Sequence, residues 1–181
     1  MFRRNLLTLL IVTWSAGAVA DEPSLGPVIE DYGPTYAIES LDVELPQDHR
    51  YKLVFDLAAD TEAGKVNRHL VSVARYLNMH ARNGIPAGQM DLAVVVHGRA
   101  VRNLLQHEAH QQRHAMDNPN LDLVRSLQEA GVRFYICGQS MAHIGLEKDD
   151  LAGGVKVALS AMTMLTLLQA DGFALLPWGA N

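Results

Sequence analysis

Cys137 is the only cysteine in this 181-residue chain, and it stands in the run Arg133-Phe134-Tyr135-Ile136-Cys137-Gly138-Gln139-Ser140. A thiolate there could attack sulfane sulfur and keep it as a persulfide, since the anion forms readily beside a helix start or a cation. Gly138 permits a tight turn, and the N–H groups that follow it could stabilise the anion. The competing reading is a small buried hydrophobe, the usual setting of a free cysteine. His97 precedes Gly98-Arg99. It could orient or deprotonate the thiol, or bind an anion when protonated; equally, it could hydrogen-bond a loop carbonyl. Gly98, Arg99, Gly138, Gln139 and Ser140 complete the candidate ligand-binding set.

A second cluster is His107, His110 and His114, whose spacings of three and four place them on one helix face. Imidazoles so spaced can hold zinc, copper or haem, with Glu108 close by. Gln111, Gln112 and Arg113 make the same stretch a good solvated helix end. One cysteine allows no CxxC pair, no cysteine-based metal centre and no internal disulfide. There is no GxxxxGK[ST] or GxSxG run, and Gly145 and Gly153-Gly154 build no dinucleotide fingerprint. No cofactor or metal is therefore assigned.

The elements that must position these groups alternate in type. Tyr51 to Leu57, Leu92 to Val96 and Val132 to Cys137 are short, near-continuously apolar strands. Val155 to Leu159 is a fourth strand, though a helix also fits it, and Phe173 to Leu176 is a terminal one. Asp60-Thr61-Glu62 signals a helix start, and apolar residues recur at helical spacing from Val66 to Met79. A helix from about Ala100 carries Val101, Leu104 and Leu105 and fades before Asn118-Pro119. Leu121 to Ala130 and Met162 to Gln169 are further helices, and Gln139 to Leu146 is a short helical turn. Met141, Met162 and Met164 read as core or subunit contact. This alternation predicts an α/β fold: a parallel sheet with helices on both faces, a three-layer sandwich. Ligands of such sheets sit at the carboxyl ends of the strands, near a topological switch point. Asp56 to Asp60, His97 to Arg99 and Cys137 to Ser140 all fall on that rim.

The first twenty residues read as a secretory signal peptide. Arg3 and Arg4 precede an apolar Leu6 to Trp14, and Ala18-Val19-Ala20 forms a small-x-small cleavage site. Residues 21–50, rich in Pro, Gly and acids, form an irregular arm, and 51–181 the domain. No cysteine follows the cleavage site to carry a lipid. Leu151 to Leu168 is too interrupted to span a membrane. Cleavage after Ala20 leaves 13 basic against 20 acidic residues, so the formal charge falls from −5 to −7. That balance argues against nucleic acid and against an anionic membrane surface.

Several stretches resemble the DsrE/DsrF-like family of small sulfur-relay proteins and their uncharacterised relatives. They are Leu53-Val54-Phe55, Ala93 to Val101, Asn118-Pro119-Asn120-Leu121, Leu127 to Ser140 and Leu168 to Leu176. The resemblance implies a three-layer α/β/α sandwich with a mostly parallel five-stranded sheet, assembled as dimers, trimers or hexamers. It implies that Cys137 corresponds to the cysteine that carries a persulfide between partner proteins. Relay members of this kind work in the cytosol, whereas this chain carries an export signal. The expectation is a periplasmic or secreted sulfur carrier or sulfurtransferase-like protein, with Cys137 and His97 as its chemical groups. Its partners would be sulfur donors and acceptors, proteins or small compounds. The alternatives are a non-enzymatic ligand- or partner-binding module and a histidine-based metal or haem protein.

Overall fold

The computed structural model describes residues 22–176. The expected signal segment 1–20 and its expected cleavage site lie outside them. Five strands form one sheet: β1 (Tyr51–Leu57), β2 (Met90–Val96), β3 (Arg133–Cys137), β4 (Lys156–Ala158) and β5 (Ala174–Leu176). Their order is β4-β3-β2-β1-β5, and every pairing is parallel. The three central strands are apolar on both faces because both faces are covered. Phe55 lies opposite Val94, and Val94 opposite Phe134, all essentially without solvent contact.

The two faces are covered unequally. On one, α1 (Arg68–Arg82), α2 (His107–His114) and α3 (Leu121–Glu129) build the large core around Phe55, Leu70, Leu77, Leu104, Leu127 and Phe134. On the other lies α5 (Ala161–Ala170), over a small cluster of Val54, Ala93, Val95, Cys137, Leu168 and Phe173. A seven-residue helix, α4 (Gly138–Ile144), follows β3 directly at the rim. Of the methionines, Met141 is buried in the large core, Met164 packs partly on the small one, and Met162 is 77% exposed.

Two elements differ from the pattern in the sequence. The first helix starts not at Asp60 but at Arg68, where the Asn67 side chain accepts the His69 N–H at 2.9 Å. Asp60 instead faces Arg102, 2.6 Å away. The helix expected from Ala100 is a 3₁₀ turn, Gly98–Leu104, that breaks before α2. The break has a cause: the buried Asn118 side chain donates to the Asn103 and Leu105 carbonyls at 3.0 and 2.6 Å, withdrawing both from any helical ladder.

The arm before β1 is irregular but anchored. Asn78 of α1, fully buried, accepts the N–H groups of Val28 and Ile29 and donates to the carbonyls of Ile29, Tyr32 and Gly33, all between 2.8 and 3.1 Å. Gly33 has φ +69°, and a Cβ there would meet the Arg75 backbone nitrogen at 2.3 Å. Only glycine fits this contact.

Candidate functional site

Cys137 ends β3 and caps the start of α4. It is 5% exposed and faces the α5 side of the sheet. Four donors reach its sulfur: the Ser140 hydroxyl and the backbone N–H groups of Ser140, Ala161 and Gln139. The first two and the last come from the start of α4, and the third from the start of α5. Burial pushes the thiol pKa up, but these donors outweigh it and hold the thiol below its ordinary range. The Ser140 oxygen in turn accepts the Gly98 N–H at 3.0 Å, so its proton is turned toward the sulfur. The turn after β2 thereby touches the site through Ser140.

Gly138 is required by crowding. A Cβ at this position would lie 2.8 Å from the Ala158 carbonyl oxygen and 3.4 Å from that of Leu159. Gly138→Ala is therefore expected to push β4 away from β3 and to lower stability by about 1–3 kcal/mol. Chemical denaturation checks this, and slower alkylation of Cys137 should accompany it.

His97 follows Val96, which lies opposite Ile136 in the register, so it stands at the level of Cys137 on the neighbouring strand. Alternation along the strands puts Asp56, His97 and Cys137 on the α5 face. No hydrogen bond joins His97 to Cys137 among the described residues. His97 Nε2 instead lies 2.8 Å from Asp56 Oδ1, and both groups are partly exposed. This pair fixes the ring and leaves its other nitrogen without a hydrogen-bond partner among the described residues.

Beside the sulfur opens a cleft of about 620 Å³. Gly98, Arg99, Gln139 and Ser140 line it, so four of the five expected ligand-binding residues meet there, with His143 and Arg102. Cys137, His97 and Gly138 are not on its wall; Ser140 separates the sulfur from it. Arg99 is exposed and makes no ion pair among the described residues, while Arg102 is held by Asp60.

The three histidines do not form a metal centre. His110 is buried, and its Nδ1 lies 2.7 Å from the Met116 carbonyl. His107 Nδ1 accepts the Asn118 N–H at 3.2 Å. His110 and His114 rings pack tilted at 4.6 Å. Among the described residues no three His, Cys, Asp or Glu side chains are placed to hold a metal. The histidines were legible as one face of a helix, but that face turns into the fold and serves the loop after it.

The profile of the DsrE/DsrF-like family matches residues 52–178. The chain belongs to the DsrE/DsrF-like family. Among solved structures it is similar to the protein of unknown function MTH1491 from Methanobacterium thermoautotrophicum, with 26% identity and a TM-score of 0.51 over 70% of this chain and 97% of that one. No curated protein matches it. The arm that Asn78 anchors precedes the stretch matched by the DsrE/DsrF-like profile. The all-parallel five-stranded sheet is the fold expected of the family. Cys137 ends β3 at the carboxyl end of the sheet, where such folds place ligands. It does not sit at the switch point: strand order reverses between β1 and β5, two strands from β3.

Two residues of this DsrE/DsrF-like site escaped the sequence reading as individual groups. Asp56 is a carboxylate inside an apolar strand, a placement that could have marked it as partnered. Ala161 acts through its backbone N–H, which carries no sequence signal.

Proposed function

We propose that this protein is an exported sulfur carrier that holds sulfane sulfur as a persulfide on Cys137. The observation that carries the reading is the convergence of four donors from two helix starts on one buried sulfur. A cysteine that merely fills space needs none of them. Membership of the DsrE/DsrF-like family supports a sulfur-relay role in general. The Cys137 thiolate attacks the outer sulfur of a donor persulfide, R–S–SH. A bond from the Cys137 sulfur to that sulfur forms, the donor's S–S bond breaks, and R–S⁻ leaves, so no oxidant is needed. The same donors then stabilise the persulfide anion. His97, held by Asp56, is the rim group that takes up or returns the proton. The cleft bounded by Gly98, Arg99, Gln139 and Ser140 seats the donor or acceptor. Export through residues 1–20 places this exchange in the periplasm or outside the cell.

After treatment with polysulfide and removal of the excess, cyanide is expected to release about one thiocyanate per chain from the wild type and none from Cys137→Ser. Equal release from both proteins would remove the carrier reading. The cleft also supports a second reading, a non-covalent binding module. In that case Cys137→Ser keeps ligand affinity and Arg99→Ala loses it.

We also propose self-association through the thinly covered face. Val157, Leu159, Met162 and Leu167 are 46–77% exposed around β4 and α5. Exposed apolar groups so close together mark an interaction surface. Light scattering after gel filtration is expected to give an oligomer for the wild type and a smaller species for Met162→Glu. A wild-type monomer would contradict this.

A further inference from the structure

A second pocket adjoins the cleft, and Cys137 is not among its lining residues. It measures about 110 Å³, room for about three to four waters at liquid density. Its walls are the loop Thr61 to Lys65, the 3₁₀ residues Arg102 and Asn103, the α2 residues His110 and His114, and the Met116 to Asn120 segment. Arg102 and His114 border both the cavity and the cleft, so these two side chains form the partition between them.

One group in this wall lacks a partner. Asn103 is 1% exposed, and its Oδ1 accepts from Asn120 Nδ2 at 2.9 Å. Its Nδ2 has no hydrogen-bond acceptor among the described residues. Two other buried side-chain atoms, on Thr35 and Gln89, are also unpaired, but neither residue borders the cavity or the cleft. Leaving a buried amide donor unmade is costly, so such a group points to an acceptor from outside the chain. The rest of the asparagine network is spent. Asn120 Oδ1 takes the Asn67 N–H, Asn118 Oδ1 takes the Asn120 N–H, and Asn118 Nδ2 serves two carbonyls. Asn103 follows Arg102, which faces Asp60 at 2.6 Å, and shares the wall with the His114 ring and with Lys65, which is paired with Glu62 of the same wall at 2.6 Å.

We infer that this pocket is a binding site for a small inorganic oxyanion, held by Asn103 Nδ2, Arg102 and His114. A pocket this small suits a compact ligand, and an orphan donor on a wall shared with Arg102 and His114 suits an acceptor that carries negative charge. Sulfate, thiosulfate and phosphate share this chemistry. The site is independent of the carrier reading, because none of its groups touches the sulfur.

Calorimetric titration of the purified protein with each of these three anions tests it. At least one is expected to bind with one-to-one stoichiometry, and the strongest of the three identifies the source. Asn103→Asp keeps the acceptor for Asn120 and turns the orphan donor into an anion, so binding is expected to fall tenfold or more. His114→Gln, at a less buried position, is expected to weaken it severalfold and guards against a folding failure at Asn103. Cys137→Ser is expected to bind as the wild type does. No binding by the wild type, or binding unchanged in both Asn103→Asp and His114→Gln, overturns the site. Heat with thiosulfate alone that vanishes in Cys137→Ser also overturns it, while leaving the thiol chemistry standing.

Discussion

Asn78→Ala is expected to lower the stability of the protein by about 3 kcal/mol, because its side chain makes five hydrogen bonds to buried or part-buried backbone of the arm and their loss strands several polar groups. The effect should not be uniform. Arg75 and Arg82 also hold the arm, donating to the Pro34 and Gly26 carbonyls at 3.2 and 3.0 Å, but from partly exposed positions. With Asn78 gone, Ile29 loses the backbone contacts that keep it in the core. The arm should then open before the sheet does. Urea denaturation gives the stability change, and limited proteolysis gives its location. Early cleavage within 22–50, with β1 onward intact, is the expected result. A variant that unfolds and digests like the wild type would show that the arm is held by other means.

Ser140→Ala is expected to slow alkylation of Cys137 at neutral pH by about tenfold, the equivalent of one hydrogen bond to a charged group at about 1.5 kcal/mol. The sign follows from the site. Donors hold the Cys137 pKa below the ordinary thiol range against burial, and the Ser140 hydroxyl is the strongest of them. Wild-type reactivity should therefore persist as pH falls below that range, and its inflection should move up in Ser140→Ala. The depressed pKa also stabilises the fold above the ordinary thiol pKa, and this contribution fades as pH falls through the folded value. Gly98 loses a hydrogen-bond acceptor in the same variant, so a structural control is needed. Ser140→Thr keeps the hydroxyl and should restore most of the rate. A rate that is the same in all three proteins would mean that the donors do not set the thiolate.

The strands were legible because β1, β2 and β3 are covered on both faces and so read as near-continuous apolar runs. Cys137, Gly98, Arg99, Gln139 and Ser140 were legible as rim residues because strand ends are marked by the switch from apolar to Gly-led sequence. What stayed hidden is the polar interior. Asn67, Asn78, Asn103, Asn118 and Asn120 are all nearly or fully buried, yet asparagine in a sequence reads as turn or surface. Most of their partners are backbone groups, at separations of up to about fifty residues, which no local pattern encodes. The break between the 3₁₀ turn and α2 was missed for the same reason, since Asn118 makes it from a distance. The histidine periodicity was legible, but periodicity does not say whether a face turns outward, so the metal alternative stayed open until the contacts of His107 and His110 were known.

The most direct test of the central claim is the intact mass of the protein after incubation with polysulfide, followed by digestion to locate the change. The account predicts a gain of one sulfur atom per chain, found on the peptide that contains Cys137, reversed by a thiol reductant and absent from Cys137→Ser. A wild-type protein that gains no sulfur, while its Cys137 still reacts with an alkylating reagent, would contradict it.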